Sequence, residues 1–184
     1  MLPVRLILLF LAFALSACTA MSVAPVPVSP DVDEIEQMLA RLYQTFSFEP
    51  GTEADWDGMR ELFAEGASFA APIRSDQAVK LTDTEAFIAD FARWIRTSEV
   101  GRTGLHERIL STRIDVFGNI AHAYVTFEGI VPGEEQRQSL GLDSLQLVLD
   151  RGQWKLASFT SQYTSAALPL PGRFNSHATP SSGA

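Results

Sequence analysis

The chain is poor in the residues that most often announce a function. It has one cysteine in 184 residues, so no internal disulfide can form. Its three histidines, His106, His122 and His177, show no metal-ligand spacing. Basic residues are outnumbered, with 14 Lys and Arg against 22 Asp and Glu, a formal net charge of −8 and a pI near 4.8. That balance leaves no basic footprint for nucleic acid. No nucleophile elbow, phosphate-cradling glycine loop or metal cluster occurs, which sets elbow-type acyl hydrolysis, nucleotide binding and zinc chemistry aside. No cofactor is expected. Apart from its first seventeen residues the chain has no long apolar run, and that one is too short to span a bilayer as a permanent helix.

Those first residues carry an address. Arg5, an apolar stretch from Leu6 to Leu15 and then small residues form a signal peptide over 1–17. Leu15-Ser16-Ala17-Cys18 resembles the bacterial lipobox, which implies cleavage before Cys18 and lipid on its thiol. Thr19 follows in place of an aspartate, which favours the periplasmic face of the outer membrane. Residues 18–30 form a proline-rich linker, extended at about 3 Å per residue. The expected partner at this end is therefore a membrane, reached through lipidated Cys18.

Residues 31–164 read as one domain. Pro30 opens a helix whose apolar residues, Val32, Ile35, Leu39, Leu42 and Phe46, recur at steps of three and four. Thr52 to Asp55 and Thr82 to Glu85 resemble capping boxes for two more helices, with a short strand over 67–73 between them. Tyr43, Trp56, Phe91 and Trp94 fall at helical spacing and are expected in the core. From Leu105 to Tyr163 two β-hairpins follow in series, turning at Gly118-Asn119 and Arg151-Gly152. Residues 165–184, rich in Pro, Gly and Ser, read as a disordered tail.

Taken without bulges, the first hairpin puts His106, Arg108, Leu110, Thr112, Ile114 and Val116 on its greasier, inward face. Glu107 falls on the other face with Ile109 and Ser111. The second hairpin has an apolar face of Leu145, Leu147, Leu149, Trp154 and Leu156 that turns polar at Asp143, Ser158, Thr160 and Gln162. An inner face that is oily at one end and hydrogen-bonding at the other suits a pocket for a small apolar or amphipathic ligand. Asp143 is the leading site residue, because a buried carboxylate requires partners or a raised pKa. His106 is a candidate base beside it, or else a sheet-edge histidine bonded to backbone. Arg108 is a candidate for holding a ligand carboxylate, or else a scaffold partner of Glu61 or Glu65. Thr160 and Gln162 complete the expected ligand-binding set.

The wording Leu105-His106-Glu107, Phe117-Gly118-Asn119-Ile120-Ala121-His122, Gly141-Leu142-Asp143-Ser144-Leu145-Gln146-Leu147 and Trp154-Lys155-Leu156 resembles the nuclear transport factor 2-like, SnoaL-like superfamily. The resemblance implies an α+β cone: three N-terminal helices packed in a curved, mostly antiparallel sheet. It implies a ligand-binding domain without assigned catalysis. The alternatives are a cyclase-, isomerase- or dehydratase-type enzyme using Asp143 with His106, or an envelope interaction module. Dimeric members often meet through the outer sheet face, so Glu107, Ser144 and Gln146 are expected at a homodimer contact or in a structural role.

Overall fold

A computed structural model describes residues 30–73 and 77–174. The expected signal peptide, Cys18 and most of the linker lie outside the described residues. Among those described, no helix is long and apolar enough to cross a membrane.

Helix α1 (Pro30–Thr45) buries Ile35, Met38, Leu39, Leu42 and Tyr43, one stripe at three- and four-residue spacing. Asp31 and Asp33 in its first turn complement the helix dipole. Helices α2 (Trp56–Leu62) and α3 (Thr84–Thr97) start later than the threonines suggest, capped three residues after Thr52 and one after Thr82. Asp55 caps α2 by accepting from Gly58 N at 2.9 Å, and Asp83 caps α3 by accepting from Ala86 N at 2.8 Å. Strand β1 (Phe63–Ala70) begins directly after α2, and a short helix α4 (Val100–Thr103) follows α3.

Four long strands come next: β2 (His106–Phe117), β3 (Ile120–Ile130), β4 (Arg137–Asp150) and β5 (Gln153–Tyr163). The sheet order is β1-β5-β4-β3-β2, with β1 parallel to β5 and every other pair antiparallel. The α+β cone is as expected. Both hairpins turn where anticipated, with Phe117 opposite Ile120 and Asp150 opposite Gln153. Gly118 supplies the positive φ (56°) that the first position of a two-residue turn of this hand requires.

Two bulges then change the faces. Leu110 is the extra residue in β2, between Ile109↔Phe127 and Ser111↔Thr126. Ala157 is the extra residue in β5, between Leu147↔Leu156 and Gln146↔Ser158. Because side chains alternate, one inserted residue moves everything beyond it to the opposite face. Glu107 and Ile109 therefore turn inward while His106 and Arg108 turn outward. Likewise Phe159, Ser161 and Tyr163 turn inward while Ser158, Thr160 and Gln162 turn outward. These positions reverse the unbulged assignment.

The interior is packed, which corrects the expectation of an open hollow. Phe46, Phe87, Phe91 and Phe159 meet ring to ring at centroid distances of 5.7 to 6.4 Å, above a floor of Leu145, Leu147, Leu156 and Met59. The expected disorder from residue 165 is corrected for 165–174. Thr164 N donates to Leu140 O at 2.8 Å, and a 3-10 turn (Gly172–Phe174) ends with Phe174 buried on the outer sheet face. Its carbonyl accepts from Ser111 Oγ at 3.1 Å and Thr126 Oγ1 at 3.0 Å, and its ring meets Tyr124. One aromatic anchor suffices to hold a segment whose composition alone suggests disorder.

Gly141 on β4 lies under the Phe127 ring, where an added Cβ would sit 2.4 Å from Cζ. Phe127 is 2 % exposed and cannot swing away. Gly141→Ala should therefore destabilise the fold by about 1–3 kcal/mol in urea unfolding. An unchanged midpoint would contradict this packing.

Candidate functional site

The inner face of β4 is apolar from Leu149 to Leu145 and then reaches Asp143, 1 % exposed. Across it on β5 stands Ser161, and on the far side of the interior α1 presents Tyr43, 2 % exposed. Tyr43 Oη donates to Asp143 Oδ2 in a hydrogen bond that joins residues one hundred positions apart. Oδ1 of the same carboxyl is buried and has no hydrogen-bond partner. Among the described residues the other such side-chain atoms are Ser98 Oγ and Trp154 Nε1, neither of which carries charge. Ser161 lies beside Asp143 and favours its charged form without closing a hydrogen bond to Oδ1.

Glu107 is the third member, brought in by the Leu110 bulge. Its backbone N–H is held by Ser47 Oγ at 3.0 Å, at the end of α1. The residue keeps some surface, but its carboxyl is turned inward and desolvated. Tyr163, 36 % exposed, closes the group with its ring against Phe127 at 5.7 Å. Glu107 and Tyr163 are thus the members that touch solvent.

Burial disfavours charge throughout this cluster. It pushes Asp143 up to about 7, against the opposing pull of Ser161 and Tyr43. Burial, reinforced by the charge of Asp143, pushes Glu107 up to about 8. Tyr43 is raised well above its ordinary value by burial first, then by Asp143 and Glu107. Near neutral pH the cluster therefore holds protons that ordinary carboxyls have lost. It can donate or accept a proton, or bind a neutral or cationic donor at Oδ1.

The other expected site residues do not join it. His106 is on the outer face, its Nε2 2.9 Å from Glu49 Oε1, so the Asp143–His106 pair is not formed. Arg108 also faces outward and pairs with the buried Glu128, neither with a ligand position nor with Glu61 or Glu65. Thr160 Oγ1 bonds Ser144 O at 3.4 Å, and Gln162 Nε2 bonds Tyr163 O at 3.1 Å, both outside the cone. Ser144 and Gln146 do lie on the outer face, where Ser144 meets His122 Nε2 at 2.9 Å. Cys18 lies outside the described residues. Sequence marked Tyr43 only as core and Glu107 only as an outer-face contact or structural residue, which its inward position corrects, and it did not single out Ser161. Tyr43 reads as one more apolar stripe position, and the other two are hidden by the bulges.

Two surface clefts lie elsewhere. One, of about 980 Å³, is open between α2, β1 and the β4–β5 turn; of its cations Arg60 pairs with Glu85 at 2.8 Å and Arg151 with Asp150 at 3.1 Å, while Lys155 Nζ donates to Glu61 O. The other, of about 240 Å³, lies beside the cis Ala71-Pro72 bond. Neither is lined by Asp143, Tyr43 or Glu107.

A family described as the SnoaL-like domain matches residues 35–163. No curated protein matches the chain in sequence. Among solved structures, a protein of unknown function with a cystatin-like fold from Nostoc punctiforme superimposes with a TM-score of 0.61 at 16% identity. It covers 78% of this chain and 98% of its own. A nuclear transport factor 2-like protein of unknown function from Pseudomonas putida gives 0.58 at 14% identity, covering 79% of this chain and 96% of its own. A candidate dehydratase of the same family from Streptomyces avermitilis gives 0.57 at 15% identity, covering 75% and 100%. At these identities the likenesses establish the fold alone.

The raised carboxyl pKa values have a direction that unfolding can read. Free carboxyls titrate near 4. Between that pH and about 8 the folded state keeps protons that the unfolded chain has released, so stability falls as pH rises through this window. Each pH unit separating the folded and unfolded titration points is worth about 1.4 kcal/mol, so the loss is on the order of a few kcal/mol. Asp143→Asn should flatten the slope between pH 5 and 8 in chemical denaturation. Stability that increases over that range, or a slope that the variant leaves alone, would contradict the assignment.

Proposed function

This chain belongs to the SnoaL-like domain family, and on that footing we propose that it is an envelope lipoprotein that binds a small, mostly apolar molecule carrying a hydrogen-bond donor. One observation carries the binding reading: Asp143 Oδ1, buried and unpartnered at the polar end of an aromatic interior. A buried acceptor without a donor costs about 1–3 kcal/mol. A ligand hydroxyl could donate to Oδ1 of the ionised carboxylate or accept from the protonated carboxyl and so recover that cost, and because the interior is packed its apolar part would take the place of the partly exposed Tyr163 ring. Entry passes Tyr163 and Glu107, the partly exposed members of the cluster. The lipoprotein reading rests on the lipobox-like Leu15-Ser16-Ala17-Cys18, with Thr19 favouring the outer membrane.

A second reading, proton transfer of the isomerase or dehydratase kind, has its own supporting observation. A carboxyl with a pKa of about 7 beside a tyrosine donor is poised to exchange protons at neutral pH. In it Asp143 is the base and Tyr43 the donor, and His106 takes no part.

The two readings separate on substitution. Hydroxyl- and amine-bearing apolar compounds should raise the melting temperature of the wild type, and Asp143→Leu should weaken the best of them by about 1.5–3 kcal/mol, some ten- to hundredfold in Kd. Undiminished binding to that variant would contradict the site. Asp143→Asn keeps an acceptor, so it should retain binding and abolish any turnover. For the anchor, labelled palmitate should enter the wild type and not Cys18→Ala; a wild type that stays unlabelled would contradict lipidation.

A further inference from the structure

The geometry points to the β2–β3 hairpin tip as a lipid-contacting wedge that orients the domain on a zwitterionic bilayer. Phe117 is 84 % exposed and Ile120 is 52 % exposed, and they are cross-strand partners flanking Gly118-Asn119. Two large apolar side chains paired at a turn are an unusual use of solvent-facing surface. The tip is braced from one side by the neighbouring hairpin, since Leu149 N donates to Asn119 O at 2.9 Å and Val148 pairs with Ile120.

The point at which the chain enters the fold decides the occupant. Helix α1 runs antiparallel to β2, with Ser47 against Glu107 and Glu36 Oε1 3.1 Å from Thr112 Oγ1. From Glu36 back to Pro30 the helix rises about 9 Å, while from Thr112 to Phe117 the strand advances about 17 Å. Phe117 therefore projects about 8 Å past the start of α1 on the same end of the molecule. The residues between Cys18 and Pro30 join the fold there and reach about 36 Å when extended, so a lipid held by Cys18 keeps its bilayer within reach of this end, and a tilted linker lets the tip touch it. Glu107 lies at the other end of β2, about 30 Å from the tip, so the acid cluster opens away from the lipid.

Charge selects the kind of surface. Arg113 is matched by Asp115 at 3.7 Å and Arg151 by Asp150 at 3.1 Å. Asp33 in the first turn of α1 adds negative charge at this end. The wedge is thus apolar within an acidic surround, which favours neutral headgroups over anionic ones.

This inference rests on the lipid tether at Cys18, and its test supplies that tether chemically. The chain from Cys18 onward, coupled through its sole thiol to a maleimide lipid in phosphatidylcholine vesicles, carries Phe117→Trp as the probe. Trp56, Trp94 and Trp154 of the unsubstituted chain set the baseline. The Phe117→Trp emission should shift to the blue on the vesicles and be quenched by brominated acyl chains. Ile120→Ser and phosphatidylglycerol-rich vesicles should each weaken the quenching. Emission identical to that of the uncoupled chain would overturn the inference. So would a blue shift of the uncoupled chain that grows with protein concentration, which would seat the tip on a second copy. Because coupling replaces cellular lipidation, a failure here counts against the tip, whereas absent palmitate label counts against the lipoprotein reading.

Discussion

A carboxyl on the inner face of a central strand must surrender its charge or gather donors, and Asp143 does some of each. It is sealed between β4, β5 and α1 with one tyrosine donor, one nearby serine and one bare oxygen. Among the described residues no cation offsets its burial, so its pKa rises to about 7 and the same penalty spreads to Glu107 and Tyr43. A hydrophobic residue of similar volume would cost the fold less at neutral pH. The interior is otherwise aliphatic and aromatic, with Leu145, Val125 and Ala123 at 0 % exposure beside the acid. A polar group maintained in such surroundings at a cost to stability is the clearest sign that this end of the cone serves something other than folding.

The bulges are what assemble that end. Without Leu110 and Ala157 as extra residues, Arg108 and His106 would face the interior with Gln162 and Thr160, a set that could ionise Asp143 and hold it charged. With them, Glu107 and Ser161 face inward instead, and the cluster is acidic with its carboxyl pKa values pushed up by burial. Two inserted residues thus turn an ion-paired arrangement into a proton-holding one. Bulges of this kind commonly re-aim side chains beside sites.

Much of the architecture was legible in the residues themselves. The α1 stripe, the turns at Gly118-Asn119 and Arg151-Gly152 and the near-turn register all follow from periodicity and turn chemistry. Asp143 stood out because it interrupts an apolar face. A bulge leaves no comparable mark: neither Leu110 nor Ala157 is an unusual strand residue, and only the pairing partners reveal the slip. Tyr43 was hidden differently. On a helix stripe it is one aromatic among several, and its role depends on a partner that only the folded chain brings near. Phe174 was missed because proline, glycine and serine around it signal disorder, whereas a single buried ring and two hydrogen bonds to its carbonyl order the segment.

The central claim is that Asp143 carries a proton inside the cone near neutral pH, and the carboxyl carbon of Asp143 reports it directly. In ¹³C-detected NMR across pH, that resonance should titrate with a midpoint near 7, and removing the Tyr43 hydroxyl should move the midpoint higher still. A midpoint in the ordinary aspartate range near 4 would mean an ionised, well-solvated group, and would contradict the account.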